Sequence, residues 1–164
     1  HLNQLIEASM FGRALRVMSV LGGTAALLLS GPAVEAADKG NLTIAIKKIK
    51  NSNGRILVCL FSKPSKFPEC TGNAPGVKTL AAKAKKGSVL ISVKHVPVGT
   101  YAISAAHDQN DDGKIDKHLL FGYPTEGAGM SNYPKPLFGP PKYDTAKFQL
   151  TKGTKKVDVV MHYP

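Results

Sequence analysis

Apolar and polar residues alternate along several short stretches of this chain, and turn sequences separate these stretches. Leu42, Ile44 and Ile46 alternate with polar or small neighbours, and the turn sequence N-S-N-G follows at 51–54. Successive side chains of a strand point to opposite faces, so a period of two predicts strands with one face in a core. Convincing helical periodicity is absent from the sequence. The chain is therefore predicted to be all-β.

Turn sequences between the predicted strands indicate hairpins. Three hairpins are predicted, and they join 42–47 to 55–61, 88–93 to 100–106, and 147–150 to 156–163. The stretch at 77–84 is ambiguous and is interpreted as a further strand. About seven short strands with polar turns predict an antiparallel two-sheet sandwich.

The first 36 residues are interpreted as an upstream extension followed by a secretory signal peptide. Arg13 and Arg16 precede an apolar run at 17–29, and a small-residue pattern ends at Ala36. This order predicts export with cleavage after Ala36. The run is too short for a comfortable membrane span, and the alternative is a short amphipathic or buried helix. The mature chain is therefore predicted to be one secreted domain at 37–164, without a transmembrane span.

The net charge of +11 limits the partners of the mature domain. Equal numbers of basic and acidic residues lie before Ala37, so cleavage leaves that charge unchanged. A secreted, lysine-rich protein meets polyanions outside the cytosol, such as lipid head groups, cell-wall polymers or acidic polysaccharide. The competing interpretation of the scattered lysines is a solvated surface that keeps the protein soluble. Nucleic acid is not expected as a partner, because export removes the protein from it and no aromatic ladder accompanies the lysines.

One acidic loop, D-Q-N-D-D-G-K-I-D at 108–116, has a spacing that specifies a chemistry. Oxygen side chains stand at alternate positions, and a glycine follows where a tight loop needs positive φ. A hard divalent cation takes about six to eight oxygens, so such a loop can curl around Ca²⁺. The predicted calcium ligands are Asp108, Asn110, Asp112, the Lys114 carbonyl and Asp116.

The acidic loop departs from an EF-hand, which ends in a bidentate glutamate at its twelfth position. Leu119 stands at that position here, so a later oxygen such as Glu126, or water, would have to complete the shell. Asp111 would point outward. The competing interpretation is an ordinary turn, in which short polar side chains bind their own backbone. The predicted site is weak, with a dissociation constant on the order of 10⁻⁴ to 10⁻³ M.

Cys59 and Cys70 are the two cysteines of the chain. In an oxidising compartment an even number favours a disulfide, which here would tie one strand to the loop that leaves it. The alternatives are a buried thiol at Cys59 or a redox pair, but the spacing lacks the C-x-x-C of a redox motif. A structural disulfide is predicted.

A segment rich in glycine, proline and aromatic residues occupies 120–146. Its rings have apolar area to bury, so we expect it to fold over the edge of the sandwich beside the acidic loop. A small hydrolase-like enzyme with a site under this segment is the alternative function. Adjacent strand residues His107 and Asp108 point to opposite faces, however, and Ser131 lacks a nucleophile-elbow sequence. Catalysis is therefore not favoured.

Several motifs together resemble one family of small secreted bacterial proteins. They are a strand ending in G-T-Y-A-x-x-x-x-H-D, the loop N-x-D-G-K-x-D, and the segments F-G-x-P-x-E-G-x-G-x-S-N and F-G-P-P-x-Y-x-x-A. With the export signal, these motifs make residues 41–163 similar to domain-of-unknown-function family 2141. The resemblance implies a β-sandwich of prealbumin or immunoglobulin type and a periplasmic or surface location, and it assigns no catalytic residues.

The sequence therefore predicts a secreted binding or structural module of the bacterial envelope, with a calcium-binding loop. Its partner would be an anionic envelope component or another envelope protein. The small periplasmic enzyme is the alternative.

Overall fold

The computed structural model describes residues 37–70, 74–116, 125–133 and 141–164, and the predicted signal peptide at 1–36 lies outside them. The described chain forms eight strands and one short helix, which are β1 (Lys39–Ile49), β2 (Arg55–Phe61), β3 (Val77–Lys83), β4 (Gly87–Pro97), β5 (Gly99–Asp108), β6 (Gly127–Met130), α1 (Tyr143–Ala146), β7 (Phe148–Leu150) and β8 (Gly153–Val160). None of its helical residues form a segment long and apolar enough to cross a membrane.

Two β-sheets pack against each other, which confirms the predicted sandwich. The first sheet has the strand order β4-β1-β8. The second has the order β3-β2-β5-β6, and β7 also pairs with β5. The described pairings are antiparallel except for β1 and β8, which run parallel. The parallel pair arises because the chain crosses from β7 and enters β8 beside the start of β1.

The three predicted hairpins are wrong, because each predicted turn carries the chain from one sheet to the other. β1 and β2 lie in different sheets, and so do β4 and β5, and β7 and β8. Alternation determines which face of a strand is apolar, but it does not determine which sheet the next strand joins. Consecutive strands pair instead at β2–β3 and at β5–β6.

The core fills the space between the facing sides of the two sheets. From β1 it takes Leu42, Ile44 and Ile46, the residues whose alternation predicts this strand. β2 is buried on both faces. On the face away from the core, Phe61 packs edge-to-face on Phe67 with ring centres 5.2 Å apart, and Phe67 packs on Tyr143 at 5.8 Å. The β2–β3 connection and α1 therefore cover the outer side of the second sheet.

The Cys59–Cys70 disulfide is present, with Cα atoms 5.5 Å apart. It ties β2 to the β2–β3 connection, as predicted. The interpretation of 77–84 as a strand is also confirmed, because β3 covers Val77–Lys83.

The predicted loop at 120–146 contains β6 and α1, which the sequence analysis missed. β6 has the sequence G-A-G-M and lacks the alternation of large apolar residues that marks a strand. Its glycines allow close packing instead, since a Cβ added at Gly129 would meet the backbone and side chain of β8. Residues 117–124 and 134–140 lie outside the described part.

Candidate functional site

The last residue of β5 meets the first residue of β2 at one end of the second sheet. Asp108 and Arg55 are partners in the β2–β5 register. The Asp108 side chain is fully buried, and its Oδ2 accepts a hydrogen bond from Arg55 Nε at 3.1 Å. The same guanidinium lies 2.7 Å from Asp111 Oδ1 and donates to the Asp111 carbonyl at 3.1 Å. The hydrogen bond with Asp108 raises the pKa of Arg55. The contacts of Arg55 with Asp108 and Asp111 hold the start of the acidic loop against β2.

Asp108 also orders the backbone that follows it. Its Oδ1 accepts the N–H of Asp112 at 3.1 Å, and its Oδ2 accepts the N–H of Gly113 at 2.8 Å. Gly113 has the predicted positive φ, at 83°. Burial pushes the pKa of Asp108 upward, but hydrogen bonds from Arg55 and from the Gly113 and Asp112 amides outweigh it and hold the pKa below its ordinary value. The carboxylate is therefore held in its ionised form.

The other short polar side chains of the acidic loop bind nearby groups of the same loop. Asn110 Oδ1 accepts the N–H of Asp112 at 3.3 Å, and Asp112 Oδ1 accepts the N–H of Lys114 at 2.8 Å. Asn110 Nδ2 donates to Asp116 Oδ2 at 3.2 Å. Bonds from a side-chain oxygen to an amide two residues later are those of Asx turns. The competing interpretation of the sequence thus accounts for these contacts.

Glu126, the residue before β6, binds both ends of the acidic loop. The Glu126 side chain is buried, its Oε1 accepts the N–H of Gln109 at 2.7 Å, and its Oε2 accepts the N–H of Asp116 at 3.2 Å. The Thr125 N–H also donates to the Asp116 carbonyl at 2.8 Å. The glutamate named from the sequence therefore lies at the loop, where it acts as an acceptor for backbone amides.

The predicted calcium ligands are gathered in one loop, but many of their oxygens accept hydrogen bonds. In the described ranges, no three histidine, cysteine or acidic side chains are grouped to hold a metal ion. Asp111 is exposed, as expected of an outward residue, yet it pairs with Arg55. In the bonds between described residues, Asp112 and Asp116 each use one carboxylate oxygen. The ligand set Asp108, Asn110, Asp112, Lys114 and Asp116 stays a prediction.

A second buried polar cluster lies beside the acidic loop on the inner face of β5. His107 is fully buried, with Nε2 2.8 Å from the Asn53 carbonyl and Nδ1 2.8 Å from the Tyr163 hydroxyl. A carbonyl only accepts, so Nε2 carries a proton, and in the neutral ring Nδ1 accepts from Tyr163. The Tyr163 oxygen accepts the N–H of Lys50 at 3.0 Å. His107 thus joins the β1–β2 connection and the C-terminal segment to β5.

Ser131 and Asn132 attach the end of β6 to its neighbours. The buried Ser131 hydroxyl accepts the Ile103 N–H at 2.9 Å and donates to the Ala146 carbonyl at 2.7 Å. Asn132 Nδ2 donates to the Lys147 carbonyl at 2.9 Å. Through these contacts, the two side chains connect the end of β6 to β5 and to the end of α1.

Arg55 is the member of this site that the sequence analysis missed. It is the only arginine after residue 36, in a domain whose other basic residues are lysines. A guanidinium is a planar fork that binds several acceptors at fixed angles, whereas an ammonium is a point charge. A lone arginine among lysines was therefore an available signal for a position with several acceptors.

The comparison with protein families agrees with the motifs quoted from the sequence. Residues 44–158 match DUF2141, described as an uncharacterized protein conserved in bacteria. The chain belongs to the DUF2141 family. The match runs from β1 into β8 and includes Arg55, both cysteines, the acidic loop and Glu126. No curated protein and no solved structure matches the chain, so the prealbumin or immunoglobulin type of this DUF2141 sandwich stays a prediction.

Proposed function

We propose that this DUF2141 protein is an extracytoplasmic binding or structural module of the bacterial envelope. The observation that supports this proposal is that its buried polar side chains bind the backbone of neighbouring connections. Asp108, Glu126, His107 and Ser131 each bind backbone groups that hold a connection in place. Side chains locked by such bonds make rigid elements that can present a recognition surface.

The location rests on two further features. The Cys59–Cys70 disulfide supports an oxidising compartment, since disulfides persist outside the reducing cytosol. The basic, apolar and small residues that end at Ala36 have the order of a signal peptide. An excess of lysine suits contact with the anionic components of the envelope.

Expression in a bacterium followed by fractionation and N-terminal sequencing tests this location. We expect the chain in the envelope fraction or the medium, beginning at or near Ala37. The matched variant Ala36→Lys places a charged residue at the cleavage site and should accumulate as uncleaved precursor. A wild-type chain that stays in the cytosol with its N-terminus intact would overturn the proposal.

We propose further that Ca²⁺ binds the acidic loop. Its oxygen donors are of the kind that a hard cation prefers. The second carboxylate oxygens of Asp112 and Asp116, which bind no other described residue, and the Lys114 carbonyl would hold the ion with Asn110 and Asp108. Because Arg55 already neutralises part of the loop, the metal would stiffen it and not drive folding. At ten times the dissociation constant, binding adds only about 1.4 kcal/mol of stability.

Calorimetric titration of Ca²⁺ into the chelator-treated protein tests the calcium proposal. Heat of binding and a rise of a few degrees in Tm are expected, and the double variant Asp112→Asn, Asp116→Asn should lose both. Asp144→Asn is the matched control, because Asp144 is an exposed acid outside the acidic loop. Absence of heat and an unchanged Tm in the wild-type protein would leave the loop an Asx-turn structure held by Arg55.

A further inference from the structure

One side of the sandwich is open between β3 and β4, the end strands of the two sheets. On the opposite side, a bridge between Ser131 and Val159 and another between Ala128 and His162 connect the sheets. Two grooves follow the open side. One has a volume of about 640 Å³ and is lined by residues of 83–90, and the other has about 270 Å³ and lies between Lys78 and His95. We call this open side the β3–β4 seam.

β4 brings an apolar run to the β3–β4 seam. Val89, Leu90 and Ile91 pair with Ile46, Ala45 and Ile44 of β1. These β1 residues are at most 2% exposed, whereas Leu90 is 65% exposed and its two neighbours are only partly buried. β4 thus presents apolar side chains on both faces, next to backbone groups with no strand beside them in the described chain. An edge of this kind is a template for pairing with another strand.

Lysines lie along the β3–β4 seam, where Lys83 and Lys85 line one groove and Lys78 lines the other. They are Lys78, Lys83, Lys85, Lys86 and Lys94, and none of them forms an ion pair between described residues. Acidic side chains are absent from the described lining of both grooves. Among the residues that the structure describes, the β3–β4 seam therefore combines a strand edge without a neighbouring strand, the exposed Leu90 and positive charge without an acidic partner.

We infer that the β4 edge binds an extended, acidic segment of a partner protein, which adds to the first sheet as a fourth strand. The inference rests on the proposed function as a binding module and names the chemistry of its partner. Such a segment satisfies the backbone groups of β4, covers Leu90 and neutralises the lysines together. A lipid head group or an acidic polysaccharide would neutralise the lysines but would not pair with the backbone groups of β4.

A second copy of this chain does not fit the β4 edge. In an antiparallel β4–β4 pair centred on Leu90, Lys94 of one copy would approach Lys86, which immediately precedes β4 in the other. Like charges brought close together across paired strands are destabilising, and each chain carries a net charge of +11. The lysines thus oppose self-association and favour an acidic strand.

Fluorescence anisotropy with short labelled peptides of alternating glutamate and valine tests this inference on the disulfide-bonded mature chain. The acidic peptides should bind, and peptides with lysine in place of glutamate should not. Lys83→Glu with Lys85→Glu should weaken binding about tenfold or more, whereas the matched charge reversal Lys142→Glu, away from the seam, should change it less than about twofold. Leu90→Asp, at an exposed position, should also weaken binding.

Amide hydrogen exchange separates strand addition from attraction by charge alone. Bound peptide should slow exchange in 88–93, and adding salt should weaken binding. The inference is overturned if no acidic peptide binds, or if binding leaves exchange in 88–93 unchanged. It is also overturned if anionic phospholipid vesicles bind more tightly than the acidic peptides and the Lys83 and Lys85 reversals weaken that vesicle binding, because the seam would then recognise a lipid surface. Export and cleavage are measured separately, so failure here would not be confused with failure of the proposed location.

Discussion

The guanidinium of Arg55 contacts the Asp108 carboxylate, the Asp111 carboxylate and the Asp111 carbonyl at once. Its Nε lies near both carboxylates and its Nη2 donates to the Asp111 carbonyl, so two nitrogens of one rigid plane fix these acceptors. An ammonium on a flexible stem does so less well. The position therefore discriminates between two side chains of equal charge. This explains the presence of one arginine in a domain that otherwise uses lysine.

Replacing Arg55 by lysine keeps the charge and removes the fork. We expect Arg55→Lys to lower Tm by a few degrees, because the new ammonium cannot hold Asp108 and Asp111 together. Lys147→Ala is the control, since its ion pair with Asp144 is exposed and should contribute little. Thermal unfolding of both variants makes the comparison. An Arg55→Lys protein with the wild-type Tm would show that charge alone suffices.

Acid should destabilise the protein through Asp108. The pKa of this carboxyl is lower in the folded chain than its ordinary value of about 3.9, so its contribution is present above that value and is lost as pH falls through the folded pKa. Asp108→Asn should be less stable at pH 7 by about 1–3 kcal/mol and should lose less further stability below about pH 4. Urea unfolding at neutral and acidic pH measures both effects. Parallel pH profiles for the two proteins would refute this role.

At the scale of elements, alternation and turn residues predict most strand positions but not their pairing. The predicted strands at 42–47 and 55–61 correspond to β1 and β2, yet the turn between them crosses the core. The oxygens of the acidic loop are also evident in the sequence, whereas Arg55 lies 53 residues before Asp108 and Glu126 lies 17 residues after Gln109. Contacts of this range depend on sheet register, which short sequence patterns do not encode.

β6 and the C-terminal segment meet where Gly127 lies against the ring of Tyr163. A Cβ added at Gly127 would overlap that ring, so Gly127→Ala should displace Tyr163 from His107. We expect a loss of about 1–3 kcal/mol in the free energy of unfolding. In a Tyr163→Ala background the same substitution should cost much less, because the overlap is gone. If Gly127→Ala costs the same free energy of unfolding in the wild-type and the Tyr163→Ala proteins, overlap with the Tyr163 ring is not the cause.

At the scale of the whole molecule, a disulfide attaches a long connection of this small sandwich to a strand of the core. The disulfide joins Cys59 of β2 to Cys70, which lies 11 residues later in the β2–β3 connection.

Alkylation without reductant should therefore label no thiol. The double variant Cys59→Ala, Cys70→Ala should lose about 3 kcal/mol in the chain-entropy description, measured by urea unfolding against the reduced and oxidised wild-type protein. Two labelled cysteines in the native protein would exclude the disulfide in solution.

The acidic loop is exposed to solvent, yet buried carboxylates hold several of its amides. Gly113 donates to Asp108, and Gln109 and Asp116 donate to Glu126. Amides held in this way exchange with solvent only when the loop opens. Slow exchange at these three positions would therefore report that the carboxylates organise the loop.

Native-state amide hydrogen exchange in the presence of a chelator measures this organisation without any metal. We expect Gln109, Gly113 and Asp116 to exchange about tenfold or more slowly than in an unstructured peptide. Glu126→Gln should speed exchange at Gln109 and Asp116 while the amides of β1 keep their protection. Exchange of all three loop amides at the unstructured rate, with chelator and with added Ca²⁺, would contradict a loop held by its buried carboxylates.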